Sequence, residues 1–213
     1  MKLKFLAPAL LAGLVAFTSC SKDDSKKEEP KVEKITLDFS GSEVQEVQLD
    51  PALDWKYFSF KNGEVTPANP KEDLSWDIAF KTFYVKLNGG TSGKGKAEVL
   101  KVDETDFAKV VESPKTGFVK DTEGDLTLGR FPNLTTEKGS FSALLSGGLA
   151  TKTGFVRLDY TKAPKVFVPT NYIYILKTAD GTYLKFQVTD FYKGAQDIIG
   201  GSPKVKFQLS KTK

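Results

Sequence analysis

The stretch NYIYILKTADGTYLKFQVTDFY, residues 171–192, decides the fold class. Ile173 and Ile175 alternate with Tyr172, Tyr174 and Leu176, while Leu184, Phe186 and Val188 alternate with Tyr183, Lys185 and Gln187. A period of two is the signature of a strand, whose successive side chains point to opposite faces. Between the runs stands Thr178-Ala179-Asp180-Gly181, and Asp-Gly supports the positive φ that a tight turn requires. Two long antiparallel strands joined by a hairpin are predicted here. Outward from this hairpin the same period recurs. It is seen at Ile35, Leu37 and Phe39, around Val44 and Val47 to Leu49, at Trp55 to Phe60, at Trp76 to Phe80 and at Phe83 to Leu87. Further strands are expected over residues 155–160 and 205–209, with weaker ones over 96–102, 117–120 and 126–130. Residues 131–153 are dominated by Pro, Asn, Thr, Gly and Ser, with apolar residues chiefly at Phe141, Leu144, Leu145 and Leu149, and read as a long loop or loose hairpin. No segment carries a sustained helical stripe. The expected fold is all-β, one domain of packed or strongly curved antiparallel sheets.

The N-terminal residues have a different character. Lys2 and Lys4 precede an apolar run from Phe5 to Phe17, and the small residues Thr18 and Ser19 lead into Cys20. The run is shorter than the roughly 20 residues that span a bilayer as a helix, and the pattern is that of an export signal. Phe17-Thr18-Ser19-Cys20 resembles a bacterial lipobox, which implies cleavage before Cys20 and acylation of its sulfur. Cys20 is the one cysteine, so the chain can form no internal disulfide. Ser21 to Pro30 contains no apolar residue and reads as a disordered tether. Its acidic pair, Asp23 and Asp24, resembles the surface-export signal of Bacteroidetes lipoproteins. The expected organisation is a signal peptide over residues 1–19, a lipidated Cys20 with a charged tether over 20–33, and a β domain over 34–213. The expected location is the outer membrane, lipid-anchored and surface-exposed.

Composition removes several classes of chemistry. The chain has no histidine, which excludes histidine-based triads and the usual zinc ligand sets. The formal charge of +4 falls to +2 without Lys2 and Lys4, and basic residues are interspersed with acidic ones, so no nucleic-acid partner is expected. A carboxylate pair drawn from Asp73, Asp77, Asp159 and Asp190 is the remaining catalytic option, as in glycoside hydrolysis; solvated or turn carboxylates are the commoner role for such residues. Gly90 to Lys96 has the glycine and lysine spacing of a phosphate-binding loop, but Ala97 stands where Ser or Thr would hold Mg²⁺ and a strand follows. It reads as a mobile connection with Lys94 and Lys96 in solvent. Aromatic residues are abundant, 16 Phe, 7 Tyr and 2 Trp; most belong in a core, while Tyr160, Tyr172 and Tyr192 could line a pocket for a flat apolar ligand.

Trp55-Lys56-Tyr57-Phe58-Ser59-Phe60, Leu74-Ser75-Trp76-Asp77-Ile78-Ala79-Phe80 and Gly93-Lys94-Gly95-Lys96 together resemble the HmuY family of haem-binding surface lipoproteins of Bacteroidetes. Leu128-Gly129-Arg130 and the segment from Ile175 to Tyr192 extend the likeness. The resemblance implies an all-β, non-catalytic, haemophore-like protein that binds haem or a related tetrapyrrole and passes it to a TonB-dependent outer-membrane receptor. In the founding type two histidines clamp the iron, and in relatives methionines do. This chain has no histidine, and its one methionine is Met1. The second ligand position implied by the resemblance falls near Tyr160, whose phenolate can ligate ferric haem. The first falls in residues 131–140, where Lys138 would serve only as a neutral amine. Lys162 and Lys165, near Tyr160 in sequence, are the candidate partners of the haem propionates. The alternatives are a family member without iron coordination, acting as a receptor subunit or binding another hydrophobic molecule, and a carboxylate-dependent glycan-processing or glycan-binding lipoprotein.

Overall fold

A computed structural model describes residues 32–50, 53–130, 132–147, 153–163, 165–193 and 201–213. The signal, Cys20 and nearly all of the tether lie outside these residues, as does Phe131. In chain order the strands are β1 (Lys34–Thr36), β2 (Gln45–Gln48), β3 (Lys56–Ser59), β4 (Gly63–Val65), β5 (Ile78–Lys81), β6 (Tyr84–Leu87), β7 (Glu98–Lys101) and β8 (Glu112–Pro114). They continue as β9 (Thr122–Arg130), β10 (Asn133–Phe141), β11 (Val156–Asp159), β12 (Val166–Pro169), β13 (Ile173–Lys177), β14 (Tyr183–Asp190) and β15 (Lys204–Leu209). Among the described residues a single 3₁₀ turn, Phe107–Lys109, interrupts them. The fold is all-β, as the periodicity requires.

The hairpin of residues 171–192 is β13 and β14, in antiparallel register from Ile173↔Gln187 to Lys177↔Tyr183. Gly181 adopts φ +89°, and its amide donates to the Thr178 carbonyl at 2.9 Å, the geometry of a turn closed by a left-handed glycine. Around this hairpin a five-stranded sheet assembles in the order β2-β15-β14-β13-β7, facing a four-stranded sheet β4-β3-β5-β6. The main core lies between the two. Phe60 meets Phe207 at 4.9 Å and Phe186 at 6.1 Å between ring centroids, while Ile78, Phe80, Val85 and Leu87 fill in from β5 and β6. A second apolar cluster lies on the other face of the five-stranded sheet, where Leu37, Phe107 and Val110 cover Ile173, Ile175 and Tyr183. That is why β13 is apolar on both faces, with Ile173, Tyr174, Ile175 and Leu176 all buried.

Asp77 joins the two sheets. It enters β5, is buried, and accepts the Phe60 amide at 2.9 Å and, across the interface, the Ala179 amide at 3.0 Å. Burial raises its pKa, opposed by those two amides.

Three expectations change. Residues 131–153 contain β10, which pairs with β9 along nine residues from Arg130↔Asn133 to Thr122↔Phe141. Most of β10 is exposed, so it carries no apolar alternation for a sequence reading to detect. Residues 117–120 contribute only one bridge, Val119 to Val99. The glycine-rich connection is also packed rather than loose, although Lys94 and Lys96 are exposed as expected. A Cβ on Gly95 would lie 2.3 Å from the Asn88 carbonyl oxygen, and Asn88, fully buried, donates to the carbonyls of Asp73 and Trp76 while accepting from Gly95.

Asp77→Ala leaves two buried amides without an acceptor and is expected to lower stability by about 2–4 kcal/mol. Asp77→Asn, which keeps one carbonyl oxygen, is expected to lose less; urea unfolding midpoints of the two variants measure the difference.

Candidate functional site

Two hairpins stand outside the main sheets, β9–β10 and β11–β12. Adjacent aromatic residues hold both. Thr82, at φ +52°, turns the chain into Phe83 and Tyr84. The Tyr84 ring meets Phe141 at 5.6 Å, and its hydroxyl accepts the Thr127 amide at 2.7 Å. Phe83 meets Phe167 of β12 at 5.2 Å, and Phe167 packs on Phe191 at 5.5 Å. The Phe167 amide donates to the Tyr192 hydroxyl at 2.8 Å. These contacts tie both hairpins to the Phe83–Tyr84 segment.

Tyr160 lies at the tip that follows β11 and is 54% exposed. Lys165 stands over its ring with Nζ 4.9 Å from the centroid, a cation–π contact. Lys162, exposed, belongs to the same tip, where Asp159 accepts the hydroxyl and amide of Thr161 at 2.6 and 3.0 Å. Those two bonds hold Asp159 below the usual carboxylate pKa. The structure therefore brings Tyr160 and Lys165 together and leaves Lys162 in solvent beside them. Lys138 is ion-paired with Asp125 at 2.6 Å. The other two tyrosines are engaged: Tyr192 braces β12, and Tyr172 lies under Lys101 at 4.8 Å.

The carboxylates considered for catalysis all accept backbone amides. Asp73 accepts the Ser75 amide, Asp190 accepts those of Phe191 and Tyr192, and Asp77 and Asp159 bind as described. In the glycine-rich segment Lys94 pairs with Glu72 at 3.5 Å, and β7 follows in place of a helix.

Lys86 and Asp121 carry features that sequence reading did not single out. Lys86 lines a cavity of about 450 Å³ beneath the β9–β10 hairpin. Its Nζ is 2.9 Å from the Tyr57 hydroxyl and 4.2 Å from the Trp55 ring centroid. Burial lowers its pKa to about 8. Asp121, immediately before β9, accepts the Leu87 amide at 2.7 Å and the Ser92 hydroxyl at 2.6 Å through Oδ2. Among the described residues its Oδ1 is buried without a partner, and burial raises its pKa to about 7. The period-two reading of Phe83 to Leu87 does put Lys86 on the face opposite Val85 and Leu87. Which residues cover that face depends on contacts distant in sequence.

The described residues form an antiparallel sandwich bearing two projecting hairpins. The HmuY protein family model matches residues 52–207, and the chain belongs to that family. A search of curated proteins returns no match. Among solved structures, the apo HmuY analog of Tannerella forsythia superposes with a TM-score of 0.56 at 16% identity, covering 84% of this chain and 98% of that one. A candidate HmuY-like heme binding protein from Bacteroides vulgatus gives 0.52 at 16% identity, covering 78% and 90%. A candidate lipoprotein from Bacteroides fragilis gives 0.54 at 18%, covering 81% and 93%. At these identities the structural likeness is one of fold.

Because Asp121 binds its proton more tightly in the folded chain than at the ordinary carboxylate value, its contribution to stability falls as pH rises from about 4 to 7, by at most ~1.4 kcal/mol per unit. The stability of the wild type relative to Asp121→Asn is expected to decline across that window and level off above it. Parallel unfolding curves from pH 4.5 to 7.5 would show the carboxylate to be ionised throughout.

Proposed function

We propose that this chain is a non-catalytic lipoprotein that binds haem or a related tetrapyrrole at the tip of the β11–β12 hairpin, for haem and iron acquisition. The observation that carries the reading is Tyr160, a phenol presented to solvent beside the Lys165 ammonium, in a chain of the HmuY family. Phenolate is a hard oxygen donor suited to ferric iron. Lys165, with Lys162 in the same tip, supplies cations for the two propionates. Haem would be cargo rather than a resident cofactor, since one protein ligand and an exposed site favour transfer. The receiving partner in this reading is a TonB-dependent outer-membrane receptor.

Haemin titrated into the protein is expected to give a saturable Soret shift that Tyr160→Phe removes and that weakens when the iron is reduced, because ferrous iron is a poorer partner for phenolate. Lys165→Ala is expected to weaken binding about tenfold through one lost charge-assisted contact. A wild type without a saturable shift in either oxidation state overturns the reading.

The absence of histidine and of any methionine other than Met1 favours a second reading, in which the family fold binds a hydrophobic ligand without iron coordination. Metal-free porphyrin bound as tightly as haemin, and equally by Tyr160→Phe, would support it.

Attachment to the membrane in the proposed function is through acylated Cys20, with the β domain held outside the outer membrane by the tether. Cys20→Ala is expected to move the protein from the membrane fraction to the soluble fraction and to abolish metabolic labelling with a fatty acid. Retention at the membrane would refute the anchor.

A further inference from the structure

The outer face of the five-stranded sheet changes character from β13 to β15. At β13 it is apolar and covered by the second cluster. On β14 and β15 the same face carries Lys185 and Gln187 opposite Gln208 and Lys206, since the register pairs Lys185 with Gln208 and Gln187 with Lys206. The two lysines thus stand diagonally across one patch. An open groove of about 880 Å³ lies over it, bounded on one side by Thr105 to Ala108 and on the other by Val44 and Glu46.

Lys185 is only 3% exposed. Its ammonium donates to the Phe107 carbonyl at 2.9 Å and lies over the rings of Phe39 at 4.5 Å and Phe107 at 4.7 Å. An ammonium has three N–H donors, so one carbonyl leaves two for another acceptor. Lys206 approaches the same Phe107 ring at 4.8 Å. Among the described residues neither lysine has a carboxylate within ion-pair distance. Glu46 is held by Lys204 at 2.7 Å. Asp106 accepts the Ala108 amide at 2.9 Å and faces Lys109 at 3.9 Å. The amides of Gln187 and Gln208 are spent on the carbonyls of Asn171 and Ser42. Burial, and then the charge of Lys206, lower the pKa of Lys185, while Asp106 acts in the opposite sense. Two like charges are therefore held together at the floor of a groove whose own carboxylates are committed elsewhere. An oxyanion there would relieve their repulsion and accept the remaining donors.

We propose that this groove is an oxyanion site in which Lys185 and Lys206 bind the carboxylate, phosphate or sulfate group of a small molecule, on a face of the sheet distinct from the β11–β12 tip. Phe107 supplies an apolar wall for the body of that molecule.

The test is calorimetric titration of the full chain with inorganic phosphate, sulfate and succinate at low ionic strength. Saturable binding of at least one is expected, and the strongest of the three identifies the headgroup. Lys185→Met should weaken it about tenfold or more, the effect of losing a charge-assisted hydrogen bond. Lys206→Met should weaken it several-fold, and it carries the test if Lys185→Met does not fold. Tyr160→Phe should leave it unchanged, which separates this site from the proposed haem site. Absence of saturable binding for all three anions, or affinity unaltered in the folded lysine variants, overturns the proposal.

Discussion

The fold hangs on one buried carboxylate. Asp77 stands where the four-stranded sheet meets the turn of the β13–β14 hairpin, taking an amide from each side of the interface. Apolar packing between sheets is non-directional and would tolerate sliding of one sheet over the other. Two hydrogen bonds to a single side chain oppose that sliding. The same turn is held a second time from the exterior, where Asp180 pairs with Lys61 at 2.8 Å. Asn88 continues the system inward by tying the chain before β5 to the glycine-rich segment.

With the sandwich held in this way, the two hairpins are free to be polar. They are tied to the sandwich through Phe83, Tyr84, Phe141 and Phe167, and the ladder of β9 and β10 pairs along nine residues. The tips contribute nothing to the core, so their sequences can change without loss of fold. The chain belongs to the HmuY family and has no histidine.

The β11–β12 tip and the groove beside Phe107 differ in physical character. Tyr160 and Lys165 are exposed and meet through a ring face, an arrangement that a bound molecule can readily rearrange. Lys185 is enclosed between two phenyl rings, with its orientation set by the Phe107 carbonyl. In the proposed functions, the first would take a large ligand that is taken up and given away, and the second a small group held in a fixed place.

The strands of the sandwich were legible because their signals are local. Ile173 to Val188 alternate, Asp180 and Gly181 form the turn, and Trp55 to Phe60 and Trp76 to Phe80 show the same period. β10 was not legible, since a strand exposed on both faces has no apolar alternation, and neither was the compact packing of Gly90 to Lys96, which depends on Asn88 and Ala179. At the hairpin tip, the nearness of Tyr160 and Lys165 was within reach of sequence because only a short segment separates them. The joint at Asp77, the enclosure of Lys86 and Asp121, and the diagonal placement of Lys185 and Lys206 on neighbouring strands were decided by tertiary structure. Each brings together residues far apart in the chain, and burial, which sets their charge and hydrogen bonding, exists only once the sheets have packed.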